Sequence, residues 1–200
     1  MTDSGTAAYD HCADLPPLVA TAVRAARQAG FTHSCRPEQG QLLRTLAGGV
    51  GAGVIGETGT GCGVGLAWLV SGARPDVRIV SVERDPKRAG IAAAVFADEP
   101  RVEVLTGDWR ELAGSAPFDL LVLDGGGQGK GAEPPLEPAD WLRLGGVVVL
   151  DDFAPMTTWP PVHEGRPDDA RLYWLDHPRL RAAEVKVTPS AASVVATFVG

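Results

Sequence analysis

From residue 52 onward, short apolar runs alternate with helical segments, and this alternation constrains the fold more than any other feature of the chain. Strands are expected at Ala52–Glu57, Arg78–Glu83, Val102–Leu105, Phe118–Asp124 and Gly146–Asp152. Helices are expected between them at Gly63–Ser71, Pro86–Ala97 and Pro138–Arg143. Runs such as Val147-Val148-Val149-Leu150 are apolar at every position, as in a parallel sheet covered on both faces. The tail differs. Glu184–Thr188 and Ala191–Phe198 are β-rich and separated only by Pro189-Ser190, so they are expected to pair antiparallel. Five parallel strands and a terminal hairpin make an α/β fold with an open seven-stranded, mostly parallel sheet and helices on both faces.

Two helices precede the sheet. The first is expected from about Asp14 to Gln28, with Asp14 as cap, Pro16 and Pro17 in the first turn and Gly30 as the stop. The second follows Pro37, with Leu42, Leu43 and Leu46 on one face, and ends at Gly48-Gly49. No linker or internal repeat divides the chain, so 1–200 is expected to be one domain. Its parts are N-terminal helices (1–50), a ligand-binding core (51–152), and a lid-like loop with the terminal hairpin (153–200). Residues 153–175 are the long irregular stretch, with Trp159, His163, Tyr173 and Trp174, and loops of that length are usually functional lids.

A formal charge of −7 and a pI near 5.0 argue against a nucleic-acid binder. No run approaches the roughly 18 apolar residues of a membrane span. The N-terminus lacks the basic start and apolar stretch of a secretory signal, so a cytoplasmic protein is expected. Cys12, Cys35 and Cys62 form no C-x-x-C pair and are expected as reduced thiols. His11-Cys12 and His33/Cys35 supply only half of a structural zinc set.

In an open parallel sheet, ligands bind beyond the carboxyl ends of the strands. The first strand runs into Glu57-Thr58-Gly59-Thr60-Gly61-Cys62-Gly63-Val64-Gly65, whose alternating glycines let a ligand approach the backbone. The G-x-G-x-x-G spacing of dinucleotide sites is absent, since Val64 and Leu66 occupy the sixth positions. The second strand ends at Glu83, 24 residues after Gly59, where an acid accepts from both hydroxyls of a ribose.

Glu57-x-Gly59-x-Gly61-x-Gly63, Glu83, and Gly107-Asp108 after the third strand together resemble a class I S-adenosylmethionine-dependent methyltransferase. Arg36-Pro37-Glu38-Gln39-Gly40-Gln41-Leu42-Leu43, Phe118–Asp124 and Leu144–Asp152 narrow the likeness to the small catechol and caffeoyl-CoA type O-methyltransferases, over residues 36 to 200. The resemblance implies a Rossmann-like fold and methyl transfer to a small-molecule acceptor, most often at a hydroxyl oxygen. It implies that Gly59, Thr60, Gly61 and Gly63 carry the methionine and ribose part of the cofactor. Glu83 would meet the ribose hydroxyls, Asp108 and Trp109 the adenine, and Glu57 would either be structural or help hold the ammonium group. Asp124 would serve both cofactor and reaction, and Asp124, Asp151 and Asp152 would hold Mg²⁺ or Ca²⁺. Metal-dependent relatives carry Asp-Asn at the positions of Asp151-Asp152. They also place a lysine base three residues after the first aspartate, where this chain has Gly127. Lys130 and His163 are the candidates to replace it. A homodimer is expected, with no nucleic acid or membrane partner. Two alternatives stay open: a metal-independent enzyme for another acceptor, and a cofactor-binding protein without transfer activity.

Overall fold

The computed structural model describes residues 5–200. A 3-10 turn at Thr6–His11 leads into α1 (Pro17–Gln28) and α2 (Pro37–Gly48). The chain then runs β1 (Val54–Thr58), α3 (Val64–Gly72), β2 (Arg78–Glu83), α4 (Pro86–Val95) and β3 (Val102–Thr106). After a second 3-10 turn at Trp109–Ser115 come β4 (Phe118–Leu123), α5 (Pro138–Trp141) and β5 (Leu142–Phe153). A two-residue ribbon, β6 (Val162–His163) with β7 (Arg166–Pro167), precedes α6 (Asp169–Asp176) and the strands β8 (Leu180–Lys186) and β9 (Ala192–Phe198).

The main sheet has seven strands in the order β3-β2-β1-β4-β5-β9-β8. The first five are parallel, while β9 lies antiparallel between β5 and β8. Strand order reverses between β1 and β4, and that switch opens a crevice at the carboxyl ends. Alternate strand residues feed the two faces. Ile55, Ile79, Leu120, Val122 and Val149 pack under α1, α2 and α3. Val80, Val82, Leu121, Leu123 and Leu150 pack with Trp141 and Trp174 on the opposite face. Runs buried on both sides explain why the strand sequences are apolar at every position.

Three local expectations change. Asp14 does not cap α1: it takes a left-handed φ of 60°, and Pro16 occupies the cap position. A proline in the first helical turn needs no partner for its missing N–H, so α1 begins without a side-chain cap. Residues 153–175 are not one irregular stretch. They contain the β6–β7 ribbon and most of α6, whose Trp174 is fully buried and donates Nε1–H to the Gln128 carbonyl at 2.8 Å. The buried Arg171 joins Asp168 (3.0 Å) to Glu184 (2.8 Å), which fixes α6 against β8. Finally, β5 starts at Leu142 rather than Gly146, and the left-handed Gly145 (φ 81°) lets the strand bend within its length. Among the described residues, no helix is long and apolar enough to cross a membrane.

Candidate active site

The carboxyl ends of β1, β2 and β4 open into a cleft lined by Glu57, Gly59, Thr60, Gly61, Glu83 and Asp124. Its floor is the turn from Gly59 to Gly63. At Gly59 the φ is 85°, and a Cβ there would lie 2.6 Å from Gly125 Cα on the β4 side. Only glycine lets the two strand-end loops approach so closely. Gly63, at φ 92°, caps α3. The first turn of α3 therefore presents its N–H groups towards the cleft.

Glu83 ends β2 inside this cleft and is buried. Its Oε2 accepts from Gly61 N–H at 2.8 Å, and its Oε1 accepts from Asp85 N–H (2.9 Å) and Arg88 (2.8 Å). The acid thus braces the glycine turn. Arg88 also lies 5.7 Å from the Phe31 ring centroid, and Phe31 lines the cleft beside Gly61. Sequence reasoning missed both residues; the spacing of Arg88, five after Glu83 on the first turn of α4, was the available signal.

Glu57 is buried at the end of β1, and its Oε2 accepts from the Ser81 hydroxyl at 2.6 Å, which is itself 2.5 Å from Thr60 Oγ1. Burial pushes the Glu57 carboxyl up to about 8, with the Ser81 hydrogen bond opposing and the charges of Asp151 and Glu83 adding to the rise. The folded state therefore binds this proton more tightly than the unfolded chain, whose glutamates titrate near 4.5. The contribution of Glu57 is fully present below that value and is lost as pH rises towards 8. It adds a slope of at most about 1.4 kcal/mol per pH unit. Urea denaturation of the ligand-free protein at pH 5, 6.5 and 8 should show stability falling with pH, and Glu57→Gln should flatten that trend. An equally steep fall in Glu57→Gln would assign the effect elsewhere.

Asp108 and Trp109 line the far side of the cleft. Asp108 Oδ1 caps the 3-10 turn by accepting from Arg110 N–H at 3.0 Å, and this bond holds its carboxyl below the usual range. Trp109 donates Nε1–H to Glu133 at 2.9 Å and packs 5.4 Å from Trp141, so its ring is fixed at the cleft edge.

Asp124 follows β4, lines the cleft, and belongs to a cluster with Asp151 and Asp152, in which one carboxylate oxygen from each residue lies within 4.8 Å of the others. Burial and the neighbouring acids push Asp124 up to about 7 and Asp151 well above the ordinary aspartate value. Asp151 Oδ1 is buried without a hydrogen-bond partner, and Asp152 holds a left-handed φ of 62°. An all-oxygen set with an unsatisfied buried atom suits a hard divalent cation.

Lys130 reaches this cluster. Its Nζ donates to the Asp151 carbonyl at 2.6 Å and to that of Asp152 at 3.3 Å, 4.1 Å from the Phe153 ring centroid. Burial pulls its ammonium below the usual lysine range, against the pull of Asp151, Asp152, Asp124 and Asp168. The glycines at 125–127 and 129 provide the reach, and Gly127 itself has a φ of 80° that disfavours a side chain there. His163 does not join the site. It is exposed on the β6–β7 ribbon and lines neither the cleft nor the aspartate cluster.

Residues 57–153 match the family described as methyltransferase domain. A catechol O-methyltransferase of Mycobacterium tuberculosis is 33% identical over 149 residues, 68% of this chain and 64% of that protein. The chain therefore spans less than two thirds of that relative's length. The fold is shared with an O-methyltransferase from Bacillus cereus solved with SAH (TM-score 0.72, 22% identity, 97% and 96% of the two chains). It is shared equally with TomG, an O-methyltransferase of Streptomyces achromogenes involved in tomaymycin synthesis, solved with SAM (TM-score 0.73, 22% identity, 100% of both chains). Over residues 57–153 the chain is thus similar to methyltransferases, and its fold is the one these solved O-methyltransferases share.

Proposed function

We propose that this protein transfers the methyl group of S-adenosylmethionine to a hydroxyl oxygen of a small-molecule acceptor, with a divalent cation, Mg²⁺ or Ca²⁺, held by Asp124, Asp151 and Asp152. The observation that carries this reading is Asp124, which lies at once on the wall of the glycine-floored cleft and in the aspartate cluster. Gly59, Thr60, Gly61 and Gly63 would cradle the methionine and ribose, Glu83 would take the ribose hydroxyls, and Asp108 and Trp109 would border the adenine. Glu57 would meet the ammonium group. In this reading, residues 51–152 form the cofactor-binding core of a single domain, and the flanking segments shape the acceptor side. A homodimer is part of this reading; the exposed large apolar residues among those described are Leu144, Met156, Trp159, Val162, Val185 and Val199.

S-adenosylmethionine supplies a methyl group already activated as a sulfonium. The protein has to hold the acceptor oxygen in line with it and remove a proton. Positioning provides much of the acceleration in such a transfer. The cation, held by the three aspartates, would lower the acceptor hydroxyl's pKa and orient it. Lys130, whose Nζ donates to the Asp151 and Asp152 carbonyls, would take the proton in this reading. Its presence there favours an active enzyme over a cofactor-binding protein without activity.

Labelled methyl transfer to a panel of small hydroxyl compounds should fall at least about tenfold in excess chelator and return with added Mg²⁺. Binding of S-adenosylhomocysteine should stay the same. Full turnover in chelator would remove the metal from the mechanism and leave the transferase reading standing.

A further inference from the structure

The acceptor positions of Glu83 are nearly all taken within the protein. A carboxylate offers about four lone-pair positions, two on each oxygen. Oε2 accepts from Gly61 N–H at 2.8 Å and keeps one position. Oε1 accepts from Asp85 N–H at 2.9 Å and from two nitrogens of Arg88, Nε at 3.2 Å and Nη2 at 2.8 Å. Three donors on one oxygen leave nothing over. The two hydroxyls of a ribose need two acceptor positions, so this carboxylate can serve only one of them while Arg88 is in place. Gly61 and Asp85 donate from the main chain and stay where the turns put them. Arg88 can leave: its side chain is 37% exposed, it lines the cleft, and its Nη1 already lies 3.5 Å from Asp85 Oδ2.

We infer that Arg88 is a positioning residue that competes with the ribose for Glu83 and thereby sets the affinity for the cofactor. The inference rests on the reading of this cleft as the S-adenosylmethionine site, and deepens it by naming the side chain that the ligand displaces. In the empty cleft the guanidinium partners a carboxylate that is only 7% exposed, and a buried charge left unpaired is costly. When the ribose arrives, its hydroxyls take one position on each oxygen, and the arginine turns to Asp85 and solvent. Asp85 caps α4 through Oδ1, which accepts from the Lys87 and Arg88 N–H groups, so Oδ2 is the oxygen that receives the guanidinium. Arg88 therefore has a charge partner in both arrangements. The measured affinity is lower than the intrinsic one by the fraction of molecules in which Oε1 stands open.

The test is calorimetric titration of S-adenosylhomocysteine into the wild type, Arg88→Met and Lys87→Met, with thermal unfolding of each ligand-free protein. Arg88→Met removes the competing donors and should bind at least about threefold more tightly than the wild type. Its ligand-free form should unfold at a lower temperature, because the buried carboxylate has lost its cation. A rise in affinity with a fall in stability separates competition from bracing, since the loss of a brace lowers both. Lys87→Met removes an exposed positive charge from the same helical turn and should bind like the wild type. Arg88→Lys keeps the charge but not the planar fork, so it should fall between wild type and Arg88→Met; it decides the matter if Arg88→Met does not fold. Binding by the Arg88 variants equal to or weaker than wild type, or the same gain in Lys87→Met, would overturn the inference and leave Arg88 as a brace. No binding to any of the proteins would remove the cofactor reading and this inference with it, so the two failures are distinguishable.

Discussion

Lys130→Met should lower methyl transfer by roughly two orders of magnitude or more, the usual contribution of a positioned general base, while S-adenosylhomocysteine binds as before. Methionine keeps most of the apolar stem that passes Phe153 but removes the nitrogen that bonds the Asp151 and Asp152 carbonyls. A purely structural lysine would give a different result: a loss of stability with a proportionate loss of active protein. The pH–rate profile separates the two. Burial pulls the Lys130 ammonium down, so its neutral form is reached at lower pH than for a surface lysine. Wild-type activity should therefore rise with pH as Lys130 loses its proton, and that limb should vanish in Lys130→Met. A variant with unchanged turnover, or with a reduced rate but the same pH limb, would show that the proton leaves by another route.

Much of this arrangement is legible in the sequence because strand ends and glycine turns are local features. Glu57, Glu83 and Asp124 fall at strand ends that the apolar runs mark out, and the structure brings all three into one cleft. Asp151 and Asp152 are legible in the same way, at the end of the fifth run. What the sequence hides depends on side chains that meet across long separations. Ser81 joins Glu57 to Thr60 from the neighbouring strand, and Gln39 meets Ser193 across 154 positions. Neither pairing has a periodic signature. Lys130 was distinguishable from His163 only through the path of the loop after β4. That loop is folded back by Trp174, which bonds the Gln128 carbonyl, and by Gln128 Nε2, which bonds the Leu123 carbonyl. The stretch before α6 read as irregular because α6 is amphipathic in neither direction: Arg171 and Trp174 are both buried, and the arginine is satisfied only by Asp168 and Glu184.

The second large effect concerns Glu83. Its carboxylate is the acid that a bound ribose would meet, and it already braces Gly61 N–H and Arg88. Replacing it by alanine removes the acceptor for the ribose hydroxyls and loosens the turn under the cofactor. Each hydrogen bond to a charged group contributes about 1.5–3 kcal/mol, so the combined loss should weaken cofactor binding by at least about tenfold. Glu83→Gln separates the two roles, since an amide keeps the shape and one acceptor oxygen; it should fall between wild type and Glu83→Ala. Thermal unfolding of each variant shows whether the fold is retained.

Calorimetric titration of S-adenosylhomocysteine into the wild-type protein and Glu83→Ala is the most direct measurement of whether this cleft is a methyltransferase cofactor site. One molecule should bind each wild-type chain with an affinity of roughly micromolar order, about −8 kcal/mol, and at least about tenfold more weakly to a folded Glu83→Ala. No binding to the wild type, or equal binding to both proteins, would contradict the assignment.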